Sequence, residues 1–230
     1  MTVTDMTPKG RQQLILWIDG EKRGFLERRD VNALGLEIGS EVTQEQWQKI
    51  TAERILPRGK KKALELLERQ DRTTRELHDR LIAADYTEEQ TWDIIAYVVS
   101  FHYIDEARYA YQFILNHAKT KSRREITQVL VLKGVDKALI EQAYTEYEAM
   151  TRGSAAEISA DDSDGTSVEE AAVRRFVSQR VHGREMTREK RKKVLAGLLR
   201  KGFSYPAIRA VLSEYTTVDG DFEEDFPETV

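Results

Sequence analysis

Three stretches of this chain lay over one another column by column, and that repetition constrains the fold more than any other feature. Leu77, Ile126 and Val194 share one column, Leu81, Leu130 and Leu198 the next, and Asp85, Gly134 and Gly202 a third, at offsets of 49 and 68 throughout. The register continues through Tyr86, Val135 and Phe203, then Thr91, Ile140 and Ile208. It ends on the pairs Ile94-Ile95, Ala143-Tyr144 and Val211-Leu212. Apolar residues four apart lie on one helix face. Glycine fits the left-handed residue that closes a helix, a conformation Asp85 tolerates less well. Units of about three helices do not bury their own faces, so they stack on neighbours. The expected fold is mainly α: tandem three-helix repeats in an elongated curved array, with a small N-terminal piece containing a β-hairpin.

Local signals place the elements. Leu14, Leu16 and Ile18 alternate before Asp19-Gly20, a two-residue turn that needs positive φ, so residues 11–27 read as a hairpin. Asp30 is a candidate cap for a short helix. Thr43-Gln44-Glu45-Gln46 is a capping box opening a helix to about Ile55, and Pro57-Arg58-Gly59 reads as a break. From Lys60 to Tyr215 the periodicity is helical throughout, with a first helix from about Lys60 to Gln70, Thr73 or Thr74 capping a second, and Thr87 a third. The Ile94-Ile95 and Val98-Val99 pairs give that third helix a wide buried stripe. The expected organisation is an N-terminal hairpin plus helix over 1–57, repeats over 58–102, 103–150 and 168–215, an acidic flexible linker over 151–167 and a disordered acidic tail over 216–230. A piece of about 56 residues is near the lower limit for its own core, so the N-terminal piece should dock on the first repeat.

Composition excludes several classes. None of the 230 residues is cysteine, which removes disulfides, thiolate metal sites and cysteine nucleophiles, and points to a reducing cytoplasm. The longest apolar run, Ile94 to Val99, falls far short of the ~20 residues that span a membrane, and no signal-peptide core opens the chain. His78, His102, His117 and His182 are scattered, Gly35 to Gly39 lacks the lysine of a phosphate loop, and no GxGxxG or GxSxG occurs. Asp105-Glu106 reads as helix N-terminal charge rather than an acid–base pair. No enzyme and no cofactor are expected.

The net charge of −4 averages unlike segments. Residues 153–167 hold four acids and no base, and 216–230 six acids and no base; without those ten acids the remaining body is +6. Positive charge gathers at the start of each repeat's second helix: Arg72 and Arg75 in the first, Lys119, Lys121, Arg123 and Arg124 in the second. In the third come Arg184, Arg188, Lys190, Arg191, Lys192 and Lys193, followed by Arg200 and Lys201. Such density marks a polyanion binder, although charge runs more often only solvate a face. These fourteen residues are the candidate contacts to DNA or a protein partner. Trp92, Tyr97, Phe101, Tyr109, Tyr111 and Phe113 recur at helical spacing and read as core rather than as base-stacking rings.

The segments Arg69-Gln-Asp-Arg-Thr-Thr-Arg-Glu-Leu77 and Tyr103-Ile-Asp-Glu-Ala-Arg-Tyr-Ala110 resemble motifs of the RecX family, bacterial regulators of the RecA recombinase. So do Arg124-Glu-Ile126 with Lys133-Gly134-Val135, and Leu199-Arg-Lys-Gly-Phe-Ser-Tyr205 with Ile208, in the same order over about Ala63 to Leu212. Val129-Leu130 stands where that family commonly has Glu-Leu, and the insertion over 153–167 is unusual for it. The resemblance implies a monomeric, non-enzymatic protein that lies in the groove of the RecA filament on single- or double-stranded DNA. There it lowers ATP hydrolysis, strand exchange and co-protease activity, and so modulates homologous recombination, DNA repair and the SOS response. The residues alone also allow a stand-alone DNA-binding or architectural protein, or a helical-repeat adaptor for another partner.

Overall fold

The computed structural model describes residues 1–158 and 168–218. The expected acidic linker falls largely, and the acidic tail mostly, outside the described residues. The chain divides into two compact units, 1–106 and 107–230.

The first unit opens with a three-stranded antiparallel sheet, β1 (Val3–Lys9), β2 (Gln13–Ile18) and β3 (Glu21–Glu27), in the order β1-β2-β3. The β2–β3 hairpin turns at Asp19 (φ 52°) and Gly20 (φ 79°), as its sequence requires. Strand β1 is not foreseen from the pattern: Asp5, Pro8 and Lys9 break its alternation, and it pairs as the exposed edge of the sheet. Helices α1 (Arg28–Leu34) and α2 (Gln44–Ile50) follow, then a π-helical turn (Thr51–Ile55) running directly into α3 (Leu56–Arg69). Asp30 does not cap α1; Glu27 holds that position, and Asp30 is buried in the first turn, paired with Arg58 at 2.6 Å.

The expected break at Pro57-Arg58-Gly59 is overturned as well. Pro57 sits in the first turn of α3, where a missing N–H costs little, and the π turn before it, closed by Leu56 N–H to the Thr51 carbonyl, carries the chain past the ring. Gly59 is a packing residue. A Cβ there would lie 2.2 Å from Cδ1 of Ile94, so the glycine is what lets α3 approach α5.

Helices α4 (Thr74–Ile82) and α5 (Glu88–Ser100) complete this unit. Both start in full capping boxes, Thr73 with Glu76 and Thr87 with Gln90. One core runs through sheet and helices together, from Val3, Leu16 and Leu26 to Leu77, Leu81, Ile94 and Val98. Val99 faces water instead of joining the predicted stripe, as do Trp92 and Phe101, so those rings are not core. Tyr97, Tyr109, Tyr111 and Phe113 are half-buried.

The second unit comprises α6 (Glu106–His117), α7 (Arg123–Leu132), α8 (Lys137–Ile158), α9 (Val168–Ser178), α10 (Arg188–Lys201) and α11 (Tyr205–Leu212). Two short strands, β4 (Glu185–Met186) and β5 (Thr216–Thr217), pair in parallel, so the region after Lys60 is not wholly helical. The α6–α8 helices enclose one core and α9–α11 another. Every apolar column residue of the three repeats is buried, and so is Thr91. Asp85, Gly134 and Gly202 all adopt left-handed φ, at 75°, 88° and 85°. The fold is therefore mainly helical, built of tandem three-helix repeats behind a small N-terminal sheet.

Candidate nucleic-acid interface

The third repeat concentrates the exposed positive charge. Arg184, Arg188, Lys190, Lys192, Lys193 and Arg200 are all exposed, and Lys201 is half-buried. Arg191 differs from its neighbours: only 5% exposed, it donates from Nη1 to the Tyr215 carbonyl at 3.1 Å and to Thr217 Oγ1 at 3.2 Å. It holds the β5 segment against α10 and is not part of a cationic face. Lys193 pairs with Glu189 at 2.6 Å one helical turn away, an interaction that holds the Glu189 carboxyl below its usual range.

Two clusters 76 residues apart in sequence meet in the second unit. Ser122 Oγ donates to the Lys201 carbonyl at 2.6 Å, and Lys201 Nζ reaches Glu125 Oε1 at 2.8 Å. The Arg124 stem crosses Gly202 so closely that a Cβ there would fall 2.6 Å from its Cδ. The start of α7, with Lys119, Lys121 and Arg124, therefore adjoins Arg200 and Lys201 at the end of α10. Arg123 takes no share in this surface. Its guanidinium stacks 4.2 Å from the Tyr144 ring centroid and is neutralised by Glu141 at 2.7 Å and Glu148 at 2.9 Å. Arg72, half-buried, and Arg75, exposed, lie in the first unit.

Helix α9 contributes cations that sequence reasoning passed over. Arg180 and Phe176 line a cleft of about 360 Å³ with Lys190, Lys193, Arg200 and Lys201 of α10. An adjoining cleft of about 250 Å³ adds Arg175, Gln179 and Thr120. The signal was available: Arg175 and Gln179 stand one turn apart on the face of α9 that carries Phe176 and Arg180. It was overlooked because attention went to dense charge runs.

Elsewhere the shifted groups move away from neutrality. Burial pushes the Tyr86 and Tyr144 phenols up to about 12, and hydrogen bonds from His78 and then Trp92 lower Glu88. Neither direction supplies a group poised near pH 7 for proton transfer. Among the described residues no cluster of three side chains suits a metal ion, and no helix is long and apolar enough to cross a membrane.

Comparison with known proteins bears on this arrangement. The family model for the second three-helix domain of RecX matches residues 105–143, which here are α6, α7 and the start of α8. Regulatory protein RecX of Clostridium acetobutylicum is 23% identical over 215 residues, 93% of this chain and 95% of its own length. The chain belongs with the RecX family. Regulatory protein RecX of Streptococcus gordonii is 24% identical over 227 residues, 98% of this chain and 79% of its own. A crystal structure of a regulatory protein RecX shares the fold with a TM-score of 0.56 at 20% identity, covering 92% of this chain and 98% of that one. The crystal structure of RecX from Lactobacillus salivarius aligns at TM-score 0.51 and 25% identity over 69% of this chain and 95% of its own.

Proposed function

We propose that this protein is a non-enzymatic regulator of the RecA recombinase, binding in the groove of the RecA–DNA filament and inhibiting ATP hydrolysis, strand exchange and co-protease activity. The reading rests on the RecX likeness, which extends over nearly the whole chain in the relatives of C. acetobutylicum and S. gordonii. A monomeric protein working in the cytoplasm is consistent with it. The boundaries 1–57, 58–102, 103–150 and 168–215 are kept as the functional division, with the first piece and first repeat acting together because they share one core. Repeated modest contacts on a periodic polymer gain by effective concentration, so no single tight site is needed. Occupying the groove hinders the second DNA strand and the filament's conformational cycle.

The test is DNA-dependent ATP hydrolysis by RecA with increasing amounts of the purified full chain. Hydrolysis should fall to a plateau, and strand exchange with it; both unchanged at saturating protein would reject the proposal. The cationic clefts of α9 and α10 favour a second reading, a stand-alone DNA-binding protein. That reading predicts tight binding to bare duplex, as strong as to filament.

A further inference from the structure

Six cations, Arg175, Arg180, Lys190, Lys193, Arg200 and Lys201, line the two adjoining clefts of α9 and α10, and no carboxylate lines either one. The surface as a whole carries acids and bases in nearly equal number, so a continuous acid-free trough is a selective feature. Among the described residues Arg175, Lys190 and Arg200 have no ion-pair partner. The trough has an aromatic floor in Phe176, but that ring is already engaged: the Arg180 guanidinium stacks at 3.7 Å, and Gly197 brings the backbone of α10 to its edge. No ring face is left on which a base can stack. Cations without a stacking platform recognise backbone charge and carry no sequence information.

We propose that this trough is a phosphodiester-backbone site, in which Arg175, Arg180, Lys190 and Arg200 contact successive phosphates of a nucleic-acid strand and do not read its bases. It deepens the filament reading, on which it rests, by assigning the DNA contact to the third repeat and naming two residues of α9. The engaged Phe176 ring preorganises Arg180, whose Nη1 also donates to the Phe176 carbonyl at 3.2 Å, so little side-chain freedom is lost on binding.

Fluorescence anisotropy of the full chain with labelled oligonucleotides of several sequences, single- and double-stranded, over a salt series tests the site. Arg175→Ser with Arg200→Ser should weaken binding about tenfold or more at ~0.1 M salt, equally for all sequences. Each lost contact should reduce the slope of log affinity against log salt by about 0.7 on single strands and about 0.9 on duplex. Arg180→Lys, which keeps the charge, should retain most of the affinity. Because Arg175 and Arg200 are exposed, the melting temperature should stay within a few degrees; should the double variant unfold, Arg200→Ser alone supplies the same comparison. Unchanged affinity and slope in the folded variants would overturn the site. So would sequence-dependent binding, or binding of poly-glutamate in preference to the oligonucleotide. RecA hydrolysis measured in parallel separates the two proposals: wild-type protein that binds DNA through the trough yet leaves hydrolysis untouched refutes the filament reading alone.

Discussion

Asp85 occupies a position where the other repeats have glycine. Its left-handed backbone is offset by two ion pairs, from Lys22 at 2.5 Å and Lys9 at 3.0 Å, which tie the sheet to the end of α4. Lys9 Nζ also donates to the neighbouring Ala84 carbonyl. The hydrogen bond from Lys22, opposed by burial and reinforced by Lys9, holds the carboxyl below its usual value. A lowered native pKa means the pairs contribute fully above the unfolded pKa of about 3.9, and the contribution disappears as pH falls through the native value. Asp85→Asn keeps a residue that tolerates φ > 0 and removes only the charge. It should cost about 1 kcal/mol or less at pH 7, since the side chain is a third exposed, and the difference should vanish in melts near pH 2. Gly59 gives the opposite kind of test. Gly59→Ala normally strengthens a helix, yet here its methyl meets Ile94, so a loss of about 1–3 kcal/mol is expected by denaturant unfolding. Adding Ile94→Val, which deletes the nearest atom, should recover part of that loss. Neither role is legible in the sequence: glycine after proline reads as a turn until the packing partner is known.

At the scale of elements, caps and columns were legible because their physics is local or periodic. Thr43, Thr73, Thr87 and Ser122 each close a reciprocal box three residues wide. The column offsets extend that register across the chain, and Leu130, fully buried, shows what the seam is worth. Leu130→Ala should cost about 2–5 kcal/mol in thermal or denaturant unfolding, and a near-neutral result would contradict the repeat alignment. The third repeat departs from the register at one end. Its second helix begins after Thr187, about one turn earlier than the offset of 68 from Ser122 implies, and the extra turn brings Arg191 under β5. Non-local partners of that kind leave no trace in a charge run, where Arg191 stands indistinguishable from Lys190 and Lys192. Arg191→Ala should therefore lower the melting temperature by several degrees, while Lys190→Ser with Lys193→Ser should leave it almost unchanged. Equal effects from both substitutions would return Arg191 to the surface.

At the scale of the molecule, the sequence revealed repeats but not how their cores would be shared. The N-terminal sheet has too little apolar surface to stand alone, and its Leu16, Ile18 and Leu26 join Leu77, Leu81 and Ile94 in one cluster. Gln90 makes that junction specific: its Oε1 accepts from Thr87 N–H at 3.1 Å, and its Nε2 donates to the Arg23 carbonyl at 2.8 Å. Gly24 lies so close that a Cβ would fall 2.9 Å from the Gln90 amide. The second and third repeats keep separate apolar cores, joined by polar contacts between Ser122, Glu125 and Lys201. The trough of α9 and α10 was only half legible for a related reason, since one of its walls comes from isolated arginines rather than from a run. Cores that are not continuous open independently. Leu81→Ala removes a fully buried side chain from the first unit at a cost of about 2 kcal/mol or more. Amide hydrogen exchange in the full chain should then speed up about thirtyfold across β2, β3 and α3 to α5, because stability differences of this size carry directly into the open population. Amides of α7 and α10 should exchange at the wild-type rate. Acceleration spread evenly over both units would mean that the chain opens as one cooperative body, and a regulator gripping a filament through its units one at a time would then lack the independence that this core arrangement provides.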